Sequence, residues 1–135
     1  MTAICREPCC AAPRMTVSEL LERGMRRNRN APLAIEGDAC ADADGNGARF
    51  SIAVAGGAVA AVGFRATSCA TLIAYGELIA ETMPGRSLDL AAGLSARDLV
   101  DTLPGVPPLK RDRAVLAVAA FRSALSKVST NGKQS

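Results

Sequence analysis

The sequence contains no histidine. Catalysis by a Ser-His or Cys-His pair is therefore excluded, and so is every metal site that uses imidazole, which leaves cysteine, aspartate and glutamate as the available ligands. The chain also lacks a phosphate-binding loop of the form G-x-x-x-x-G-K-[ST] and a nucleophile elbow of the form G-x-S-x-G. Conventional hydrolase and nucleotide chemistry consequently has no support in this chain.

Aromatic residues are scarce, at 3% of the chain with no tryptophan, although apolar residues make up 49%. The core is therefore predicted to consist of Ala, Val, Leu and Ile side chains. Without clustered aromatic residues there is no surface on which bases could stack, and a net charge of +3 is small for binding a phosphate backbone. We expect no nucleic-acid partner.

Long apolar runs are missing as well. No stretch approaches the length that spans a bilayer, and Arg6, Glu7 and Pro8 stand where a signal peptide needs apolar residues. The expectation is a cytoplasmic protein that does not bind a membrane. In that compartment an odd number of cysteines, five here, indicates thiols or metal ligands rather than disulfides.

The cysteines fall into two groups. Cys5, Cys9 and Cys10 lie in residues 1–15, which have no helical or strand periodicity and are predicted to form a flexible tail. Their C-x3-C-C spacing matches no standard zinc or disulfide pattern. Cys40 and Cys69 lie in the periodic part of the chain and are the candidates for a defined site.

The first periodic segments predict a helix and a hairpin. The helix begins at a Thr16 cap and ends in the basic run at residues 26–30, which is expected to be a solvated helix end. Residues 49–55 and 58–65 predict two strands, joined at Gly56-Gly57 by a two-residue turn of the primed type.

Cys69 lies at the predicted start of a central amphipathic helix, which has Thr67 and Ser68 as candidate N-caps and an apolar face that runs to Met83. Unpaired backbone N–H groups and the positive end of the helix dipole favour a thiolate there, so Cys69 is a candidate nucleophile or soft-metal ligand. The alternative is a small buried side chain, which is what most free cysteines are. Periodicity alone leaves both interpretations open.

The rest of the chain predicts mostly helix. In chain order we expect two short helices, a rigid extended connector and a long helix, at residues 88–92, 95–102, 104–108 and 110–127. The whole is predicted to be one α+β domain over residues 16–127, in which helices pack on one face of a small antiparallel sheet. Residues 128–135 are predicted to form a disordered tail.

The acidic stretch from Asp42 to Gly47 matches the first half of a calcium-binding loop, because oxygen-bearing side chains recur at alternate positions before a glycine. The match then fails, since Ala53 stands where the bidentate glutamate is needed and the flanking residues predict strands. The stretch is predicted to be a solvated loop.

Three motifs occur in one order along the chain: Cys40-Ala41-Asp42, the segment from Phe64 to Cys69, and Val106-Pro107-Pro108-Leu109-Lys110. Together they resemble the U-type iron-sulfur cluster assembly scaffolds, the family of IscU and the NifU N-terminal domain. In that family a Cys-Gly-Asp loop precedes a hairpin, a Phe-x-x-x-x-Cys segment opens a helix, and a Leu-Pro-Pro-Val-Lys motif precedes a third cysteine. The resemblance covers residues 17–126.

The resemblance implies a non-enzymatic scaffold that binds iron or a [2Fe-2S] cluster and transfers it to apoproteins. It implies metal ligands at Cys40, Asp42 and Cys69. The implied partners are a cysteine desulfurase, an iron donor, apo iron-sulfur proteins and, through the segment from Val106 to Lys110, an Hsp70-type chaperone. That segment is equally well explained as a rigid connector before a helix.

The resemblance breaks at the third cysteine. Asp112 and Arg113 occupy the positions of the family's His-Cys pair. Asp112 becomes a candidate weak ligand, whereas Arg113 cannot ligate and could instead pair with Asp42 and cap a site that no longer holds metal. A tail cysteine could also supply the missing sulfur. Two other functions therefore stay open: an interaction module of the same fold without a cluster, and a mononuclear zinc-binding protein.

Overall fold

The computed structural model of the chain describes residues 16–67 and 69–134. The predicted tail at 1–15, with its three cysteines, and the candidate cap Ser68 lie outside the described residues. The elements, in chain order, are α1 (Val17–Arg27), β1 (Ile35–Glu36), β2 (Cys40–Ala41), β3 (Gly47–Ala55), β4 (Ala58–Ala66), α2 (Ala70–Thr82), α3 (Leu88–Ala92), α4 (Ala96–Thr102), a 3-10 turn (Pro108–Lys110) and α5 (Asp112–Gln134).

The sheet is antiparallel and has β3 at its centre. β4 pairs along one edge of β3, and the short strands β1 and β2 pair one after the other along the opposite edge. Gly56 and Gly57 join β3 to β4 with φ angles of 61° and 77°, the left-handed backbone that a primed hairpin turn requires. The predicted hairpin is confirmed, and both strands extend slightly beyond their predicted ends.

The first helix starts at its predicted cap. The Thr16 hydroxyl accepts a hydrogen bond from the Glu19 amide, and the Glu19 carboxylate accepts one from the Thr16 amide, both at 3.1 Å. This capping box satisfies two of the amide groups that an isolated helix end leaves free.

The sequence predicts that the basic run at residues 26–30 is a solvated helix end, and this holds for Arg26, Arg29 and Asn30, which are exposed, but not for Arg27 and Asn28. The Arg27 guanidinium is paired with Glu77 of α2. The Asn28 amide donates to the Ala66 carbonyl at 3.1 Å, and its side-chain oxygen accepts from the Ala66 N–H at 2.8 Å. These contacts cover the free edge of β4. For Arg27 and Asn28 the prediction is wrong because their partners lie far away in sequence.

The central helix α2 is buried almost all round, since every residue from Thr71 to Ala80 is buried. The sequence predicts an amphipathic helix, which is wrong because α2 is enclosed by α1, α4, α5 and β4. Gly76 allows the closest approach to the sheet. A Cβ there would lie 3.0 Å from the Phe64 ring.

The few aromatic side chains lie in the core, which corrects the expectation of a purely aliphatic interior. Phe50 of β3 has its ring centroid 5.5 Å from that of Phe64 and 5.8 Å from that of Phe121 in α5. Tyr75 of α2 is fully buried. Because these side chains are large, few of them suffice to fill the space between the sheet and the helices.

The connector between α4 and α5 is not extended throughout. It turns at Pro104-Gly105, and Pro108–Lys110 form a 3-10 turn. The last helix then continues to Gln134, beyond its predicted end at Lys127, so the predicted disordered tail is helical as far as that residue.

The predicted α+β class is confirmed, with α2 and α5 packed on the same face of a small antiparallel sheet. Among the described residues, no helix has both the length and the apolar character needed to cross a membrane.

Candidate functional site

Three parts of the chain meet at one end of the sheet. Cys40 of β2 pairs with Ala48 of β3, and Ala48 pairs with Ala66 of β4, so these residues form one row across the helix-covered face. Two strand spacings separate Cys40 from Ala66 by about 10 Å. Cys69 follows shortly after Ala66 and is the N-cap of α2. The two cysteines that the sequence singles out therefore lie at the same end of the domain.

Arg113, in the first turn of α5, connects this row to the loop after β2. Its side chain is 11% exposed, and its Nη1 lies 3.9 Å from Asp42 Oδ2 and 2.8 Å from Asp112 Oδ1. Interaction with the Cys69 thiol raises the pKa of the guanidinium, as do Asp112 and Asp42. The Arg113 Nε is buried and has no hydrogen-bond acceptor within the described part of the chain. The pairing of Arg113 with Asp42 is the one that the sequence suggests.

Cys69 is half-buried, and it packs against the core while its sulfur faces the start of α2. Burial raises the pKa of the Cys69 thiol, but the amides of Leu72 and Thr71 and the Arg113 guanidinium together lower it below its ordinary value. The sulfur makes no hydrogen bond of capping geometry with these amides. It nevertheless lies where a thiolate is favoured, as its predicted position at the helix N-terminus implies.

Asp42 holds the loop that joins β2 to β3. Its Oδ1 accepts from the amides of Asp44 and Asn46 at 2.9 and 3.0 Å, and its Oδ2 accepts from the Asn46 side chain at 3.1 Å. Burial raises the pKa of Asp42, but these hydrogen bonds and Arg113 outweigh burial and lower it. Asp42 is therefore a carboxylate at neutral pH, and most of its acceptor capacity is used within the loop.

The aspartates form the tightest group of possible ligands. Oxygen atoms of Asp42, Asp44 and Asp112 all lie within 4.8 Å of one another, and neither described cysteine belongs to this group. The sequence prediction includes Asp42 and Asp112 but misses Asp44. The alternating D-A-D-G-N-G pattern is the sequence signal for Asp44, although its incomplete match to a calcium-binding loop favours a solvated loop.

Cys40 is half-buried, and its sulfur lies 3.9 Å from the Asp38 carbonyl oxygen. It packs against the core at the edge of the sheet. The structure thus places Arg113 at ion-pair distance from Asp42 and Asp112 and near enough to Cys69 to lower the pKa of its thiol. The Cys40 sulfur makes no hydrogen bond to that guanidinium within the described part of the chain.

The segment from Val106 to Lys110 presents its middle to solvent. Val106 is 3% exposed and anchors the segment in the core, whereas Leu109 is 92% exposed on the 3-10 turn. An apolar side chain so exposed on a rigid turn is available for a partner, although single exposed apolar residues are common.

The fold and the order of its motifs define the architecture of a U-type scaffold. Residues 21–134 match the family described as NifU-like N terminal domain, and the chain belongs to this family of iron-sulfur cluster assembly scaffolds. The resemblance suggested by the sequence is confirmed.

One curated relative is the "Bifunctional protein NifU/MnmA" of Rubrobacter xylanophilus, to which the chain is 39% identical over 90 residues. The match covers 65% of this chain and 18% of that protein, so the chain corresponds to a small part of the relative.

Two solved structures share the fold. One is assigned as an iron-sulfur cluster assembly scaffold protein for the SUF system of Fervidobacterium islandicum AW-1, with a TM-score of 0.56 and 13% identity over 77% of this chain and 94% of that chain. The other is the N-terminal part of a nitrogen-fixing NifU-like protein of Brucella abortus, with a TM-score of 0.53 and 16% identity over 86% and 93%. At these identities the likeness shows the fold alone.

The described residues offer two thiols, Cys40 and Cys69, and a separate group of carboxylates. Two thiols are fewer than a fully cysteine-bound cluster needs. Thiolates suit iron-sulfur clusters, whereas carboxylates are harder ligands that suit single ions. The Arg113 guanidinium also places a fixed positive charge beside Asp42 and Cys69.

Proposed function

We propose that this domain is an iron-sulfur scaffold that holds its cargo briefly, with Cys69 and Cys40 as thiolate ligands and Asp42 and Asp112 as oxygen ligands. The observation that supports this proposal is the position of Arg113, which forms ion pairs with Asp42 and Asp112 and lies near enough to Cys69 to lower the pKa of its thiol. Residues from the first two motifs and from the start of α5 therefore lie close together. The cargo is iron or a [2Fe-2S] cluster, which the domain passes to apoproteins.

Arg113 would make retention weak in two ways. It removes one sulfur ligand, and it repels a metal cation while pairing with the carboxylate that would otherwise bind it. A guanidinium can still donate hydrogen bonds to the sulfides of an anionic cluster, so the site favours an anionic cargo over a bare cation. A scaffold of this kind must release its cargo readily, so it needs neither a high affinity for the cargo nor a catalytic group.

The partners follow from this role. A cysteine desulfurase would supply sulfur, a separate donor would supply iron, and apo iron-sulfur proteins would receive the product. The exposed Leu109 turn is the candidate contact for an Hsp70-type chaperone.

Anaerobic reconstitution of the full chain with ferrous iron and sulfide tests the proposal. The wild-type chain is expected to gain a weak sulfide-to-iron absorption that is lost on desalting, and Arg113→Cys is expected to retain more iron and sulfide because it restores the third thiolate. Cys69→Ala should abolish the signal. Arg97→Cys adds a thiol at a residue whose side chain is 88% exposed on α4, and it is the matched control.

Equal retention by folded Arg113→Cys and Arg97→Cys would contradict a cargo site at this position. A colourless protein that carries zinc would favour the mononuclear zinc site. A chain that takes up neither metal would favour the interaction module without a cluster, for which the ion pair between Arg113 and Asp42 is the supporting observation.

A further inference from the structure

The face of the sheet that points away from the helices carries two arginines side by side. Arg49 of β3 pairs directly with Arg65 of β4, and both side chains are exposed. Like charges directly opposite each other destabilise an antiparallel pair of strands. The sheet therefore keeps an unfavourable contact that its own fold does not require.

Small residues flank the two arginines on one side only. On the same face, Gly47 and Thr67 lie at the open side, whereas Ser51 and Gly63 on the other side are covered by Leu33, whose N–H donates to the Ser51 hydroxyl at 2.9 Å. The open side forms a hollow of about 690 Å³. Its lining includes one acidic residue, Glu36, against two arginines. We call this surface, defined by Arg49, Arg65 and the hollow around them, the arginine hollow.

The two arginines are held differently. Arg65 donates to the Asn30 carbonyl from Nε at 3.3 Å and from Nη2 at 3.2 Å, which fixes its guanidinium against the segment that follows α1. The Arg49 side chain makes no hydrogen bond or ion pair with any residue that the structure describes. One cation is thus pre-positioned and the other is free to contact a ligand, an arrangement that reduces the ordering cost of binding.

We propose that the arginine hollow binds an acidic segment of a partner protein. The positive charge is complementary to carboxylates, and the small lining residues let an extended backbone approach closely. The open shape suits a macromolecule rather than a small anion, which needs an enclosed pocket.

Nucleic acid fits this surface less well than an acidic peptide. Phe50, Phe64, Phe121 and Tyr75 are buried in the core, so the described chain offers no aromatic surface for stacking bases.

The arginine hollow lies near the candidate cargo site. Cys40 and Thr67 border it, and Thr67 lies close to Cys69 in the chain. A protein bound here would approach the candidate cargo site from the side of the sheet that no helix covers. Binding to the hollow is independent of the cargo, so it can be measured in the absence of iron and sulfide.

Fluorescence anisotropy with a labelled polyglutamate peptide, titrated with the full chain, tests the inference. Binding is expected to weaken as salt is added, because exposed charges are screened. The double variant Arg49→Glu with Arg65→Glu should weaken binding by about tenfold or more. Arg49→Glu alone should produce part of this loss without affecting folding, because the Arg49 side chain has no hydrogen-bond or ion-pair partner among the described residues.

Arg97→Glu with Arg122→Glu makes the same change in net charge on α4 and α5, and thermal unfolding of each variant verifies that it is folded. The proposal is overturned if the control variant loses as much affinity as the hollow variant, or if no peptide binding occurs at low salt. It is also overturned if single-stranded oligouridine binds more tightly than the peptide and depends on Arg49, since the surface would then be a nucleic-acid site.

Discussion

Arginines from other helices contact α2 near both of its ends, and their interactions differ. Towards the C-terminal end, Arg27 and Arg23 of α1 each donate two hydrogen bonds to one glutamate. Arg27 donates to Glu77 at 2.6 and 3.1 Å, and Arg23 donates to Glu81 at 2.6 and 3.0 Å. At the N-terminal end, Arg113 of α5 divides its charge among Asp112, Asp42 and Cys69 and leaves its Nε without an acceptor among the described residues.

The difference separates a structural contact from a candidate functional one. A bidentate pair between guanidinium and carboxylate satisfies both groups and fixes the angle between two helices. A buried donor without an acceptor carries a cost and is uncommon in folded proteins. At the N-terminal end of α2, the Arg113 Nε therefore has no acceptor among the described residues, whereas Arg27 and Arg23 of α1 are each paired with a carboxylate.

The largest expected effect is at the structural end. Glu77 is 1% exposed, so Arg27→Met would leave a buried carboxylate without its cation and should lower the free energy of unfolding by about 3 kcal/mol. Burial raises the pKa of Glu77 even beside Arg27. In the variant this pKa rises further, and the loss of stability should shrink as the pH falls and Glu77 becomes protonated. Urea unfolding across a pH series measures both quantities.

Arg97→Met is the matched control for that experiment. The Arg97 side chain is 88% exposed and lies 3.8 Å from Asp101, so its removal should cost below about 0.5 kcal/mol at any pH. If the two variants were equally stable, the pair of Arg27 with Glu77 would not be the contact that holds α1 on α2.

At the other end, the corresponding change is expected to alter reactivity more than stability. Arg113→Gln removes the cation beside Cys69 while keeping a polar side chain, and the pKa of the thiol should rise towards its ordinary value. The pH profile of Cys69 alkylation by iodoacetamide, followed by mass spectrometry of its peptide, should shift to higher pH. Cys40, whose sulfur makes no hydrogen bond to Arg113 in the described part of the chain, provides the reference within the same molecule. A profile that does not move would show that the helix N-terminus alone activates Cys69.

The sequence predicts the features that depend on neighbouring residues. The Gly56-Gly57 turn, the cap at Thr16 and the position of Cys69 at the start of a helix are all local, because each follows from residues a few positions apart. The hairpin and the family motifs together were enough to predict the α+β fold.

What the sequence could not predict depends on pairs that are distant along the chain. Arg27 and Glu77 are 50 residues apart, so no local pattern in the basic run at residues 26–30 indicates that Arg27 is paired. The sequence pattern of α2 predicts one apolar face, but several elements enclose the helix. The periodicity of one helix does not indicate how many elements pack against it. Asp44 became a candidate ligand only when α5 brought Asp112 to the same loop.

The smallest expected effect concerns the loop that supports the site. Asp42→Asn keeps one acceptor oxygen but places an amide group opposite the Asn46 side chain and removes the charge facing Arg113. Because the folded state holds the pKa of Asp42 below its ordinary value, the carboxylate stabilises the fold above the pKa of the unfolded chain, and this contribution is lost as the pH falls through the folded pKa. The difference in melting temperature between wild type and variant should therefore be present at neutral pH and vanish in acid. Asp44→Asn, in the same loop, is the control and should show little difference at either pH. A difference for Asp42→Asn that persists in acid would mean that the shape of the side chain, and not its charge, stabilises the loop.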